Sequence, residues 1–269
     1  MPQKIQSSPK CKARKKFRNA AYVVICKQEI FLTEAGRELF QCSCAITQQL
    51  ADMDVLLREM KGLEYGCLKI SVVSTANYFT PQLLAKFCQQ HPNINVTLNV
   101  ANRDAVLRQV IDNTTDLAVM GQPPEGNDFA AEPFMKNPLV VIAPPSHPLC
   151  KQKRIKLNRL EQEIFLLREP GSGTRGAMER FFTEHGIQLR AGMEMGTNEA
   201  IKQAVQANMG LGILSRHSIE LELETGRLAI LNVEHFPLLR HWYIVHRKSK
   251  RLSTAAQAFK QFLLADGRG

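Results

Sequence analysis

An apolar seam uninterrupted by proline runs from Leu39 to Met60 and leads into an alternating segment, Cys67-Leu68-Lys69-Ile70-Ser71-Val72-Val73. Its members Leu39, Ile46, Leu50, Met53, Leu57 and Met60 follow one another at intervals of 7, 4, 3, 4 and 3. A helix brings such positions onto one face, and a heptad stripe is the pattern of two helices lying side by side. Leu32-Thr33-Glu34-Ala35-Gly36 opens this helix, with Thr33 placed to cap its first turn, and Gly62 and Gly66 end it. A helix packed on its own domain carries a similar stripe. The regularity of this one, ahead of a globular region, favours a dimerising helix over residues 32–62.

Beyond Gly66 the periodicity alternates between 2 and 3.6. Strands are expected at 68–73, 94–100 and 116–120, with helices at 81–90 and 104–111. A second series follows: strands at 139–143, 164–167, 193–195 and 212–214, and helices near 157–162, 175–184 and 199–207. This is α/β patterning in two lobes. Pro123-Pro124-Glu125-Gly126 marks the expected crossover. Strands at 228–231 and 242–245 then lead to a last helix, 254–264, that returns to the first lobe and makes the hinge a two-strand crossing. The expected lobes are therefore 66–122 with 250–269, and 123–249.

Bulk properties exclude several classes. A hydrophobic content of 44% with 22% charged residues is that of an ordinary soluble chain. No apolar run approaches the ~18 residues of a membrane span, and no secretory signal is legible, so no membrane partner is expected and the location is cytoplasmic. Seven scattered cysteines without C-x-x-C spacing indicate free thiols in a reducing compartment. The seven histidines show no metal-ligand spacing, and no nucleophile elbow or Walker loop appears. Neither catalytic residues nor a metal are expected. Residues 1–30 hold eight Lys and Arg against Glu29 alone, +7 of the net +10. Lys12, Arg14, Lys15, Lys16 and Arg18 are the candidates for non-specific contact with nucleic acid; a solvated basic tail has the same composition.

Anion-binding chemistry concentrates where strands end and helices begin. Gly171-Ser172-Gly173-Thr174-Arg175 opens a helix with free backbone N–H groups, two hydroxyls and two flexible glycines, and Arg168 and Arg175 flank it. Ser74, Thr75 and Asn77, then Asn102 and Arg103, then Thr197 and Asn198 occupy equivalent turns, and Gly121 and Gln122 lie beside the expected crossover. In open α/β sheets ligands bind at the carboxyl ends of strands, so these fifteen residues are expected to line one cleft between the lobes. Each turn in isolation is also an ordinary helix cap.

The strings Leu32-Thr33-Glu34-Ala35-Gly36-Arg37-Glu38-Leu39, Thr115-Asp116-Leu117-Ala118-Val119 and Ala207-Asn208-Met209-Gly210-Leu211-Gly212-Ile213-Leu214, in this order, resemble LysR-type transcriptional regulators over residues 32–265. Val73 to Phe79, Asn102-Arg103 and Arg168 to Arg175 are most similar to the regulators of Calvin-cycle (Rubisco) carbon-fixation operons. The resemblance implies two Rossmann-like lobes of the type II periplasmic-binding-protein kind, a linker helix, a homodimer or homotetramer, and operator DNA as partner where a complete head is present. It implies no tightly bound cofactor and a small anionic effector: a sugar phosphate, a small phosphorylated acid or NADPH. The family's winged helix-turn-helix is not recognisable in residues 1–31, which read as a basic remnant of that head or a disordered tail. A headless effector-binding dimer is thus an alternative. A bilobal solute-binding protein is another, although it calls for a signal peptide and no dimerising helix. A bilobal enzyme calls for a carboxylate or lysine in a cleft whose expected lining is hydroxyl, amide and arginine.

Overall fold

The computed structural model describes residues 12–17, 20–26, 29–59 and 66–266. The chain divides into two compact units, Met1–Leu56 and Leu57–Gly269. In the first, β1 (Lys12–Phe17), β2 (Ala20–Cys26) and β3 (Glu29–Leu32) pair as an antiparallel meander, with Lys12 opposite Ile25 and Val24 opposite Phe31. Neither description expected for residues 1–31 anticipates these strands. The run Ala-Ala-Tyr-Val-Val-Ile-Cys of β2 has strong β propensity, which a reading centred on charge passes over. Among the described residues no helix precedes α1 (Glu34–Glu59). Arg18 lies outside the described residues, as do the side chains of Lys12, Arg14, Lys15 and Lys16.

Thr33 caps α1 as expected: its Oγ1 accepts the Gly36 N–H at 3.0 Å. Four seam positions, Leu39, Ile46, Leu50 and Met53, are 48–60% exposed in the single chain. The side chain of Leu57 and the whole of Met60 lie outside the described residues.

The second unit opens with β4 (Gly66–Val73), α2 (Thr80–Gln90), β5 (Ile94–Ala101), α3 (Arg103–Ile111), β6 (Leu117–Met120) and β7 (Phe129–Lys136). It continues with β8 (Leu139–Ala143), β9 (Ile164–Arg168), α4 (Gly173–Glu184), β10 (Arg190–Met195), α5 (Asn198–Gln206), β11 (Gly212–Ser215), α6 (Glu220–Glu224), β12 (Ala229–Ile230), β13 (His241–Arg247) and α7 (Thr254–Asp266). The expected helix at 157–162 is a 3-10 turn.

One sheet has the order β5-β4-β6-β13-β7, in which β5, β4 and β6 run parallel and β13 lies antiparallel to both its neighbours. Leu68, Ile70, Val72, Leu117, Trp242 and Ile244 on one face pack against Phe87 of α2 and Phe259 of α7. On the other face Val106 and Val110 of α3 cover Ala118, Met120 and Val245. The second lobe joins β10-β9 to β11-β8-β12 through a parallel bridge, Phe165 to Leu211. Its two faces bury Met178 and Phe182 of α4, and Ile201 and Val205 of α5. Both lobes are therefore sheets covered on two faces, the geometry that nearly continuous apolar strands require.

The lobe boundaries correct the sequence expectation. β7 and β13 fall within 123–249, yet they belong to the first sheet, so Pro123 to Gly126 is a loop within the first lobe rather than the crossover. β7 escapes a pattern-based reading because Pro133 interrupts it; at a sheet edge the missing N–H leaves no ladder bond unmade. The crossover lies at Asn137-Pro138 and Leu238 to Arg240. There Leu139 N–H donates to Leu238 O at 3.0 Å, Leu238 N–H donates to Leu139 O at 2.9 Å, and Asn137 N–H donates to Arg240 O at 2.7 Å. The hinge is thus a two-strand antiparallel crossing, as expected, at other residues.

The ring of Phe259 is fully buried, 5.0 Å from Phe87 in an edge-on contact. Phe259→Ala is expected to cost about 3–5 kcal/mol in urea unfolding of the second unit; a loss under about 1 kcal/mol would mean that α7 does not close this core.

Candidate functional site

The carboxyl ends of β4, β5, β6 and β9 converge between the lobes on a narrow cavity. The first strand hands over to a 3-10 turn, Ser74–Tyr78. Asn102 caps α3 by accepting the Ala105 N–H at 2.9 Å, and Thr197 caps α5 by accepting the Ala200 N–H at 3.1 Å. Ser172 sits at the N-cap of α4, but its hydroxyl makes no capping bond and is almost fully buried. That hydroxyl and the first N–H groups of α4 are left for another acceptor.

Of the fifteen residues expected at the site, Ser74, Thr75, Asn102, Arg103, Gly121, Gln122, Arg168, Ser172, Gly173 and Thr174 line this cavity. Asn77 is exposed and does not. Gly171 and Arg175 face an adjoining outer depression. Thr197 acts as a helix cap, and Asn198 lies buried behind the wall, where it accepts from Arg168 Nη1 and donates to Thr75 Oγ1 at 3.4 Å.

The two arginines that flank the glycine loop are neutralised within the protein. Arg168, 4% exposed, holds Glu169 with both Nε and Nη2, at 2.7 and 2.8 Å, and reaches Ser74 Oγ at 3.3 Å. Arg175 pairs with Glu179 at 2.7 Å and Glu194 at 2.5 Å and donates to the Arg168 carbonyl. Their role is to fix the walls.

Cationic character comes instead from a residue that sequence reasoning missed. Arg240, on the hinge, donates from Nη1 to Gly173 O at 3.1 Å and from Nη2 to Gly121 O at 2.7 Å, so one guanidinium touches both lobes. Both of these partners are neutral carbonyls. Burial, with Arg180 and Arg103 adding repulsion, pushes its pKa down to about 10, which leaves it charged at neutral pH. Gly121 is required for this contact, because a Cβ there would stand 2.9 Å from Arg240 Nη2 and 2.8 Å from Asn137 Nδ2. Asn137 and Trp242 also line the cavity, as do Val73 and Glu169. Three buried polar atoms of the lining have no protein partner: Arg103 Nε, Asn137 Oδ1 and Trp242 Nε1. Nothing local in the sequence marks Asn137, Arg240 or Trp242, since they reach the cleft only through the crossing of the hinge strands.

A second set of contacts closes the rim. Tyr78 of the first lobe donates to Glu199 Oε1 of the second at 2.6 Å, and Lys202 lies over the Tyr78 ring while pairing with Glu199 at 2.7 Å and Glu222 at 2.9 Å. Burial and the Glu199 charge push the Tyr78 hydroxyl far up. Burial alone would raise Glu199, but Lys202 and Tyr78 outweigh it and hold the carboxyl below its usual range. Among the described residues no group of three His, Cys, Asp or Glu side chains is placed to hold a metal ion, and no helix is long and apolar enough to cross a membrane.

Residues 61–268 match the model of the LysR substrate binding domain. The chain is 52% identical over 239 residues to the RuBisCO operon transcriptional regulator of Allochromatium vinosum, covering 89% of this chain and 79% of that protein. It is 44% identical over 238 residues to the HTH-type transcriptional activator CmpR of Synechocystis sp. strain PCC 6803, covering 88% and 78%. Among solved structures, the regulatory domain of Synechocystis CcmR in complex with 2-PG superposes with a TM-score of 0.73 at 40% identity, over 76% of this chain and 98% of that one. The effector binding domain of QuiR in complex with shikimate, at 23% identity and a TM-score of 0.69, shares the fold. The chain belongs to the LysR family: it is a transcriptional regulator rather than an enzyme, and its two hinged lobes are the family's substrate-binding domain.

Proposed function

We propose that this regulator controls carbon-fixation genes by closing its two lobes over a small phosphorylated acid, of which 2-phosphoglycolate is the type. The observation that supports this most is the cleft's polarity: a half-buried Arg240 without a carboxylate, beside free donors on Arg103 and Trp242 and the uncapped hydroxyl of Ser172. A half-buried charge with only neutral partners is costly, and a dianionic phosphate supplies the missing counter-charge. The relatives named as regulators of RuBisCO operons, and the 2-PG complex of CcmR, support the same reading. The cavity is tight, which favours a small acid over a nicotinamide dinucleotide.

The acid stabilises the arrangement in which Ser74, Thr75 and Tyr78 of one lobe bond Arg168, Asn198 and Glu199 of the other. It therefore shifts a population between open and closed lobes. The exposed heptad seam of α1 pairs with that of a second copy, and the resulting cytoplasmic dimer or tetramer carries the change to operator DNA.

Titration calorimetry with 2-phosphoglycolate is expected to show one site per chain, with thermal unfolding of the protein shifted upward. Trp242→Phe removes an unpartnered donor while keeping an aromatic ring in the core, so it should lower unfolding stability by about 1–3 kcal/mol through the smaller ring and weaken the acid about tenfold. Equal affinity in parent and variant would remove Trp242 from the site, and no heat with any phosphorylated acid would remove the ligand class. Leu50→Glu, at an exposed seam position, is expected to halve the mass measured by light scattering; an unchanged mass would show that the seam does not hold the assembly.

A further inference from the structure

Beside the hinge, sharing Arg240 with the cleft, lies a second, open depression. Its floor and walls come from the outer face of α4, the hinge strand and the loop after β6. Arg240, Gly121 and Gln122 belong to both cavities and form the partition between them.

The chemistry of this depression differs from that of the cleft. Alongside the polar side chains that make up most of its lining, it carries an aromatic and apolar patch: Phe181, His241, Tyr243 and Leu239. Leu239 is 77% exposed, the most exposed of the large apolar side chains described. The rings of His241 and Tyr243 stand edge to face, 6.4 Å apart, while Phe181 packs edge-on against Phe236 at 5.3 Å. Arg180 is the cation at its rim. Its hydrogen bond is to the neutral Gln122 Oε1, at 2.8 Å, and that bond ties α4 of the second lobe to the β6 loop of the first. Glu184 is the acidic residue of the lining.

An aromatic and apolar patch beside a guanidinium bound only to an amide suits a ligand with a planar ring at one end and an anionic group at the other. We propose that the hinge depression is a second binding site, separate from the cleft, for a planar aromatic anion, with the ring against Tyr243, His241 and Leu239 and the anionic group on Arg180. An occupant there touches both lobes from outside the cleft. Nucleoside monophosphates and simple aromatic carboxylates share this chemistry.

The test is calorimetric titration of the full chain with adenosine monophosphate, benzoate and inorganic phosphate in turn. Adenosine monophosphate or benzoate is expected to saturate one site, and which of the two binds identifies the source; phosphate alone, lacking the ring, binds at least tenfold more weakly. Arg180→Gln and Leu239→Glu, both at exposed positions that a fold tolerates, should each weaken the aromatic anion about tenfold. Trp242→Phe, which alters the cleft, should leave that affinity within twofold, so that the outcome is independent of whether the cleft takes a phosphorylated acid. The proposal is overturned if neither aromatic anion saturates, if phosphate binds as tightly as they do, if the two hinge variants bind like the parent, or if Trp242→Phe weakens binding as much as they do.

Discussion

The exchange of main-chain hydrogen bonds between Leu139 and Leu238, at 3.0 and 2.9 Å, joins the two lobes as one short antiparallel crossing. Everything functional in the second unit hangs from it. A crossing of two strands holds the lobes in register yet allows rotation about the few residues between Lys136 and Leu139 and between Leu238 and His241. Because the chain passes this point twice, the sheet of the first lobe is completed by β13 after the second passage, while the second lobe is the continuous stretch between the two passages.

The same crossing explains why charge sits where it does. Arg240 follows directly on the crossing, and its guanidinium reaches the Gly121 carbonyl of one lobe and the Gly173 carbonyl of the other. Those neutral acceptors satisfy geometry without cancelling charge. The arginines of the glycine loop do the opposite: Arg168 and Arg175 are matched by Glu169, Glu179 and Glu194, and they stiffen the walls. The site thus combines paired ions that build a rigid frame with one guanidinium whose hydrogen bonds go only to neutral carbonyls.

The rim contacts follow a parallel logic. Tyr78, Glu199, Lys202 and Glu222 form a chain in which each charge has a partner and the aromatic face covers the ammonium. Such a chain depends on the lobes being close together, since Tyr78 lies in one and the rest in the other. It joins the two lobes without belonging to the cleft between them.

Periodicity determined the helix that carries the seam, its Thr33 cap and the alternation of strands and helices, because these depend on the spacing of apolar side chains along a single segment. The turns at Ser74, Asn102 and Ser172 were legible for the same reason, as hydroxyl and amide residues at strand ends, although only Asn102 makes a capping bond. What the sequence left undecided is everything that needs two distant segments to meet. The Pro133 strand joins a sheet only because an edge tolerates its missing donor. The lobe boundary moves because β13 pairs on both sides. Whether an arginine is free or neutralised depends on carboxylates that folding brings alongside it: Glu194 is nineteen residues from Arg175, and the Arg240 acceptors lie 67 and 119 residues away. Local spacing encodes a segment's own conformation, but the electrostatics of a cleft are set by tertiary proximity, which no single segment contains.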